Sequence, residues 1–367
     1  MIATLNNRRP ARQLRAACVR GVTLIELMIG MLLGIVVVLV VAQVLSFSEG
    51  YKRATTSGAD AQVNGALALY TLQREIQMSG YGLNNQLSSL GCPVQANHAT
   101  AGAATWTLAP VVITAGADDA PDSLTVMYSS RPYSVPSVVS VDHPTTLDRF
   151  TVRSAVGITT GDMIIVTPGT YSATNWCGAY VVSQMPGSGQ LVHGQSPWNT
   201  GATVSPTAGY AAGSLIVNAG QLVRRTFSVT AAYDLQQQTL NLTSGGADAQ
   251  VLFAQIVNMR ALYGKDTNGD GVVDTYDRTT PTTNAGWQQV LSVRVALVSR
   301  SNAYQKDEVT QASPQWDVGT STTVTGSATC GSSQCLTVKV DGLQDWKHYR
   351  YSVSEVTVPL RNVIWGI

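Results

Sequence analysis

The longest apolar stretch of the chain lies close to its N-terminus. It runs from Val22 to Leu45 and reads VTLIELMIGMLLGIVVVLVVAQVL, which is 24 residues. A helix of about 20 residues spans the hydrocarbon of a bilayer, so the pattern predicts a transmembrane helix at about 22–45. Glu26 interrupts the run near its start. Because a carboxylate is costly in lipid, this position requires a functional explanation.

The helical pattern continues beyond the apolar run. The segment after Gly50 lacks proline up to residue 79 and repeats apolar side chains at helical spacing, at Leu69, Leu72 and Ile76. Two glycines, Gly80 and Gly82, end the pattern. We therefore predict one helix over residues 22–79, roughly 85 Å long at 1.5 Å per residue. Its second half is expected to pack under a globular head.

The remainder of the chain alternates short apolar runs with Gly, Pro, Ser and Asn, which is typical of strands separated by turns. A short helix is predicted at Asp248–Val257, and residues 84–120, 129–150 and 184–212 have the composition of long loops or insertions. The predicted strands are Ser123–Tyr128, Met163–Thr167, Ala179–Ser183, Ser214–Val217, Leu222–Val229, Leu235–Leu242, Val290–Ser299 and Tyr349–Val358. These elements predict an α+β fold, in which a long N-terminal helix packs against a head rich in antiparallel β-sheet.

Charged residues make up 12% of the chain, about half of the usual share. The first 20 residues contain no acid and concentrate the basic side chains, at Arg8, Arg9, Arg12, Arg15 and Arg20. Such a block stays on the cytoplasmic side of a membrane. The rest of the chain carries more acidic than basic side chains, which argues against nucleic acid as the main partner.

Five cysteines are present, Cys18 in the basic segment and four further along the chain. An even number in the body of the protein indicates disulfides formed in an oxidising compartment. Cys330 and Cys335 are separated by Gly-Ser-Ser-Gln, which is short and flexible enough to close a small loop, and Cys92 would then pair with Cys177. Four cysteines allow three connectivities, so the other pairings stay open. A metal site is the weaker reading, because the sequence has no CxxC and its four histidines are scattered.

The start of the apolar run resembles a known processing signal. Gly21-Val22-Thr23-Leu24-Ile25-Glu26, behind a basic leader, is similar to the type IV prepilin signal of class III. The resemblance implies that a prepilin peptidase cuts between Gly21 and Val22, removes the leader 1–21 and methylates the amine of Val22. It also implies that Glu26 pairs with the N-terminal amine of a neighbouring subunit. Such an ion pair would offset the burial of both charges and fix the axial register. The family usually has Phe where Val22 stands, and a plain membrane anchor is the alternative reading.

Four later segments resemble the PilW minor pilins. They are Leu72–Tyr81, Arg260–Gly264, Val293–Arg300 and the ending Tyr349–Asn362. The middle third of the chain has no motif that matches. The resemblance implies a pilin-like fold, with a long helix at 22–80 whose first half is transmembrane and a periplasmic or extracellular head at 81–367.

The same resemblance implies a function in assembly. The chain would be a minor pilin of the type IV pilus that primes pilus assembly and lies at or near the fibre tip, in fibres that serve twitching motility and adhesion. Its implied partners are the prepilin peptidase, other minor pilins and the major pilin, the inner-membrane assembly platform and a large tip adhesin. Before assembly it would be a single-pass inner-membrane protein with a cytoplasmic leader and a periplasmic head. After assembly it would belong to the cell-surface pilus.

Two other functions stay open from the sequence. The chain could be a minor pseudopilin of a type II secretion system, whose larger members it resembles. It could also be chiefly a binding module, with the insertions at 84–212 forming an adhesive surface at the pilus tip. The sequence contains no nucleophile elbow, P-loop, zinc-protease motif or dinucleotide-binding motif, so no enzyme activity is predicted.

An acidic loop occupies residues 266–277 and reads DTNGDGVVDTYD. Oxygen atoms at alternating positions of a tight loop suit Ca²⁺. The sequence predicts five side-chain ligands, at Asp266, Asn268, Asp270, Asp274 and Asp277. The backbone carbonyl of Val272 is the sixth predicted ligand. The loop resembles those of EF-hands and, more closely, those of dockerins, in which Asp can take the last place. Bound Ca²⁺ would stabilise the head rather than perform catalysis. The alternative is an Asx-rich hairpin turn, since Asn-Gly and Asp-Gly are ordinary turn formers.

Overall fold

The computed structural model describes residues 21–83, 87–131, 135–187, 189–194, 196–199, 204–320, 324 and 326–364. Residues 1–20 of the predicted leader lie outside these ranges. The boundary between the two compact units of the chain falls after Arg53.

Helix α1 spans Leu24–Met78, which confirms the predicted long helix. Its first part, Leu24–Lys52, is long and apolar enough to cross a membrane. The large apolar side chains of this part, such as Leu24, Met28 and Ile35, are exposed. A run of exposed apolar side chains of this length is unfavourable in water and favourable in lipid.

In the second unit, α1 buries one face. The predicted stripe of Leu69, Leu72 and Ile76 is buried, which confirms the spacing argument. The helix ends where Gly80 and Gly82 take positive φ values of 77° and 71°. Glycine adopts this conformation without the penalty that a Cβ atom imposes. The N–H of Gly80 then donates to the carbonyl of residue 127 at 2.8 Å, so the chain passes directly from the helix to the sheet.

Beyond α1 the described chain consists of strands and short helices. The strands are β1 Pro93–His98, β2 Gly102–Thr107, β3 Val111–Thr114, β4 Ser123–Tyr128, β5 Ser137–Val138, β6 Arg149–Thr151, β7 Met163–Thr167, β8 Cys177–Val181, β9 Gln190–Val192, β10 Leu215–Gly220, β11 Val223–Val229, β12 Asp234–Leu240, β13 Ala247–Ala254, β14 Ile256–Lys265, β15 Thr275–Asp277, β16 Val290–Arg300, β17 Gln315–Gly319, β18 Ala328–Cys330, β19 Ser333–Thr337 and β20 Tyr351–Pro359. The short α-helices are α2 Asn284–Gln288 and α3 Arg361–Ile364, and three-residue 3₁₀ helices lie at Leu87–Ser89, Ala117–Asp119 and Trp346–His348.

The main core lies between the second part of α1 and two antiparallel sheets. One sheet has the order β15-β14-β16-β20 and the other the order β13-β12-β11-β4-β3. Leu72 of α1, Val126 of β4 and Val295 of β16 belong to one buried cluster. A helix packed against antiparallel sheets confirms the predicted α+β fold.

A six-stranded sheet, here called the middle sheet, has the order β2-β1-β8-β7-β10-β5. Both of its faces are covered, because Met163 and Ile165 of β7 join one buried cluster while Ile164 and Val166 join another. The strand β7 therefore reads as a continuous apolar run rather than an alternating one. The antiparallel pair of β6 and β9 contributes Phe150 and Leu191 to the second cluster.

A small sheet of order β17-β19-β18 covers the other face of β14 and β16. Trp316 of β17 lies there in a cluster with Leu262 of β14 and Val298 of β16. The strands β14 and β16 are therefore buried on both faces over most of their length.

Several sequence-based boundaries are wrong. The predicted helix at Asp248–Val257 is a strand, since β13 pairs with β12 in antiparallel register and β14 begins at Ile256. The predicted loops also contain regular structure: 84–120 holds β1, β2 and β3, 129–150 holds β5 and the start of β6, and 184–212 holds β9. The strand β5 pairs with β10 and β6 pairs with β9, which are distant in sequence, whereas β1, β3 and β13 each pair with a neighbour along the chain. In both cases a strand on a sheet follows its neighbours more than its own propensity.

Candidate functional site

The predicted processing segment leads directly into α1. Gly21, Val22 and Thr23 precede the helix and are exposed. The N–H of Glu26 donates to Thr23 Oγ1 at 3.3 Å, and the N–H of Thr23 donates to Glu26 Oε2 at 3.5 Å. This reciprocal pattern is a capping box, which satisfies two N–H groups at a helix start. Its T-x-x-E signature is in the sequence, but the sequence argument treated Glu26 only as an assembly group.

The capping box leaves most of the Glu26 carboxylate unused. Both hydrogen bonds are long, and the residue is exposed. A carboxylate has room for about four hydrogen bonds. The geometry therefore holds Glu26 at the helix start while leaving its charge free to meet a cation.

Polar contacts fasten the second part of α1 to the strands of the head. Arg225 of β11 donates to Glu75 Oε1 at 2.6 Å, and the Tyr128 hydroxyl donates to Glu75 Oε2 at 3.3 Å. At the helix end, Asn362 Nδ2 donates to the carbonyl of Ser79 at 2.9 Å. Ser299 Oγ of β16 donates to the carbonyl of Ala61 at 2.8 Å. These contacts fix the second part of α1 on the strands of the head.

The four segments that resemble the PilW minor pilins meet in this region. Leu72–Tyr81 includes the end of α1, and Arg260–Gly264 lies on β14. Val293–Arg300 lies on β16, which pairs with β14 on one side and with β20, within Tyr349–Asn362, on the other. The resemblance thus falls on adjacent strands and on the helix end packed against them.

The acidic loop wraps around Asp266. This side chain is 7% exposed, and its two oxygens accept the N–H groups of Gly269 at 2.6 Å and Gly271 at 2.7 Å. Both glycines have a φ of 82°, which is the left-handed region that the tight turn requires.

Three more predicted ligands gather at the same loop. Asn268 Nδ2 donates to Asp270 Oδ2 at 3.2 Å and to Asp274 Oδ1 at 3.3 Å. Asp274 Oδ2 accepts the hydroxyl of Thr267 at 2.8 Å, and this bond is the main reason that the pKa of Asp274 lies below its usual value. The structure therefore brings together Asp266, Asn268, Asp270 and Asp274 as an oxygen-rich group that a hard cation could use.

The last two predicted ligands do not join this group in the same way. Asp277 lies on β15, and both of its oxygens accept hydrogen bonds from Lys265 Nζ, at 2.8 and 2.9 Å. Val272 has an exposed side chain, and its N–H donates to Asp270 Oδ1 at 2.8 Å. The positive charge of Lys265 already balances Asp277. The better candidates for ligands are therefore the side chains of Asp266, Asn268, Asp270 and Asp274.

A buried ion network follows the loop, and sequence reasoning missed it. Asp122 and Arg260 are almost fully buried, and Arg260 donates to Asp122 Oδ1 at 3.2 Å. Arg278, the residue after Asp277, donates to the same oxygen. Arg260 also donates to the carbonyl of Asp119 at 2.6 Å, and burial lowers the pKa of Arg260. This network ties the exit of the acidic loop to the loop between β3 and β4. Each of the two arginines lies 138 or more residues from Asp122 in sequence, so no local signal reveals the network.

The structure forms two disulfides, Cys92–Cys177 and Cys330–Cys335. Cys92 lies directly before β1 and Cys177 begins β8, the strand that pairs with β1. Cys330 and Cys335 close the β18–β19 hairpin. Asp317 lies near the second pair. Because a metal ligand must be a thiolate, the disulfide leaves no metal site there.

Comparison with known families matches part of the chain. The family model of PilW, the type IV pilus-assembly protein W, matches residues 219–362. Three of the four resembling segments lie inside this match, which confirms the resemblance. No curated protein and no solved structure matches the chain. The match begins at the end of β10, so the middle sheet lies almost entirely outside it.

Proposed function

Because the family model of PilW, the type IV pilus-assembly protein W, matches residues 219–362, we propose that the chain is a minor pilin that primes pilus assembly and lies at or near the fibre tip. One observation carries this proposal. The family match falls on the strands that hold the end of α1, and α1 begins with a segment able to cross a membrane. A type IV pilus-related protein with a membrane anchor and a head held to the same helix has the parts that a fibre subunit needs.

The proposed mechanism starts from the precursor. The leader 1–21 stays cytoplasmic, and the prepilin peptidase cuts between Gly21 and Val22 and methylates Val22. The subunit waits in the inner membrane with its head in the periplasm. Glu26, held only by the two long capping bonds, then pairs with the amine of a neighbouring subunit. The partners are other minor pilins, the major pilin, the assembly platform and a large tip adhesin.

The oxygen-rich loop supports a second, structural proposal. We propose that Asp266, Asn268, Asp270 and Asp274 hold Ca²⁺, with Asp277 remaining on Lys265. The ion would neutralise three carboxylates and order the loop that leads to the buried Asp122 network. It would have no part in any reaction.

The assembly role is tested in a strain that lacks the gene. We expect few or no surface pili in that strain and normal numbers after complementation, counted by electron microscopy of sheared fibres. Mass spectrometry of the protein recovered from those fibres should give an N-terminus at methylated Val22.

Three results would contradict this function. Normal pili that fail to adhere would indicate a tip binding module, and lost type II secretion with normal pili would indicate a pseudopilin. A recovered protein that still carries the arginine-rich leader would contradict the processing step.

A further inference from the structure

A groove of about 900 Å³ lies between the segment that follows β7 and the segment at residues 280–287. One wall comes from the middle sheet, through Pro93 of β1, Thr107 of β2 and Tyr171. The other wall comes from the family-matched part, through α2 and the residues before it. The groove therefore lies where the middle sheet meets the PilW-like strands.

The lining is uncharged and combines apolar surface with a smaller polar part. Among the described residues, no Asp, Glu, Lys, Arg or His side chain lines the groove. Its polar groups are mainly hydroxyls, among them those of Ser88, Thr107, Thr170, Ser172, Thr282 and Thr283. Because a charged ligand would lose its hydration without gaining a counter-charge, this chemistry favours a neutral ligand that presents both apolar surface and hydrogen-bonding groups.

One hydrogen-bond donor is open to this groove. Trp287 is 3% exposed and lines the groove, and its indole N–H donates to none of the residues that the structure describes. An indole N–H that reaches a groove can donate to water or to a ligand. The close approach of the ring depends on Gly91, which has a φ of 86°. A Cβ atom there would lie 2.3 Å from the Trp287 ring. The fold thus places the Trp287 N–H in the lining of the groove, where a ligand can accept from it.

The groups around this donor are held in place before any ligand arrives. The carbonyl of Leu90 accepts the Tyr171 hydroxyl and Asn284 Nδ2, both at 2.9 Å. Thr283 Oγ1 accepts the N–H of Gly286 at 3.2 Å and caps α2. A preorganised site loses less entropy when it binds a ligand.

We propose that this groove binds a neutral oligosaccharide. Sugar hydroxyls would accept from the indole N–H of Trp287 and exchange hydrogen bonds with the threonine and serine hydroxyls. The half-buried ring of Tyr171 would supply aromatic surface for the apolar face of a sugar ring. A peptide is the competing occupant that the test must exclude, because Thr107 lies on β2, the edge strand of the middle sheet, and a peptide can add to such an edge.

The direct test is saturation-transfer NMR on the full chain in a detergent without a sugar headgroup. The probes are maltohexaose, cellohexaose and chitohexaose, with hexagalacturonate as a charged counterpart and a neutral Gly-Thr hexapeptide as the peptide counterpart. We expect transfer to at least one neutral hexaose and none to hexagalacturonate. Calorimetry with that hexaose then gives the dissociation constant.

Two pairs of variants locate the site. Trp287→Phe removes the free donor and should weaken binding about tenfold. Trp106→Phe is its control, because the Trp106 N–H is also without a partner among the described residues but does not line the groove. Gly169→Leu fills the groove and should abolish binding, whereas Gly187→Leu should not. An added Cβ at either glycine meets open space, so both variants are expected to fold.

The proposal is overturned if no neutral hexaose binds, or if only the peptide does. It is also overturned if hexagalacturonate binds equally well, or if Gly187→Leu loses as much affinity as Gly169→Leu. None of these measurements requires fibre formation, so their outcome tests the sugar-binding site independently of the assembly role.

Discussion

At the scale of single residues, Glu26 takes part in one interaction in the structure and in a second one in the proposed fibre. In the structure it takes part in a capping box with Thr23. In a fibre, the proposed partner is the amine of a neighbouring subunit. Since a capping bond is worth about 1 kcal/mol and a buried ion pair broken on one side costs about 3–5 kcal/mol, the charge should matter more than the cap.

Two substitutions separate these roles. Glu26→Gln keeps a capping side chain but removes the charge, so leader cleavage should be normal and incorporation into fibres at least about tenfold lower. Thr23→Ala removes the cap but keeps the charge, so incorporation should stay close to that of the wild type. Immunoblots of sheared fibres and of whole membranes measure both quantities. If the two variants assembled equally well, the charge of Glu26 would have no role in polymerisation.

At the scale of elements, the sequence predicted those strands and turns best whose structure is determined by residues close together in the chain. The strands β4 and β7 have the predicted boundaries, and β16 has the predicted alternation of Val293, Val295 and Leu297 towards the main core. The strand β13 was mistaken for a helix, because only its pairing with β12 decides its structure. The D-x-N-x-D-G turn could be found because each of its hydrogen bonds joins residues no more than 7 positions apart. The Lys265–Asp277 pair depends instead on the register of β14 with β15.

The acidic loop gives an element-scale prediction. If Ca²⁺ binds Asp266 and the three nearby ligands Asn268, Asp270 and Asp274, 1 mM CaCl₂ should raise the melting temperature of the full chain above its value in EGTA. Saturation at about 100 times the dissociation constant would add about 2.7 kcal/mol of stability, or several degrees for a domain of this size. Differential scanning calorimetry in detergent measures the shift. Equal melting temperatures in the two buffers would rule out the proposal.

Substitutions in the loop test which carboxylates are ligands. Asp270→Asn should abolish the calcium-dependent shift and leave the metal-free melting temperature almost unchanged, because Asp270 is exposed. Asp277→Asn should lower the melting temperature in both buffers, since it breaks the pair with Lys265, and should keep the calcium-dependent difference. A loss of that difference in Asp277→Asn would make Asp277 a ligand after all.

At the scale of the whole molecule, the chain combines parts of different character. The family-matched strands hold α1, whereas the middle sheet has a buried cluster on each face and lies almost entirely outside the match. The sequence could not reveal this organisation, since the parallel pairing of β1 with β8 and the order of β7 and β10 join segments far apart in the chain. The cluster that contains Phe150, Ile164 and Leu191, on one face of the middle sheet, is here called the outer cluster. Because it is a separate core, it can lose its structure before the rest of the head.

A buried histidine pair makes that outer cluster sensitive to acid. His143 and His193 are 2% and 7% exposed, and their Nε2 atoms lie 3.0 Å apart. Burial lowers the pKa of His193 to about 3 and also lowers that of His143, and the nearby charge of Asp148 opposes this only in part. The other titratable neighbours, Tyr180 and Tyr210, have raised pKa values and stay neutral in acid. Between pH 6.5 and about 3 the unfolded chain therefore binds more protons than the folded one.

Stability should accordingly fall as the pH drops below about 6.5, by up to about 1.4 kcal/mol per pH unit for His193 alone. We expect hydrogen exchange, corrected for its intrinsic pH dependence, to rise at pH 4.5 in β6, β7 and β9 while β14 and β16 stay protected. His193→Gln removes the titrating group and should flatten this response. His348→Gln, in the 3₁₀ helix before β20, should leave it intact. If β7 kept the same protection at pH 4.5 and pH 7 in the wild type, the histidine pair would be an ordinary hydrogen bond whose protonation does not limit the stability of the middle sheet.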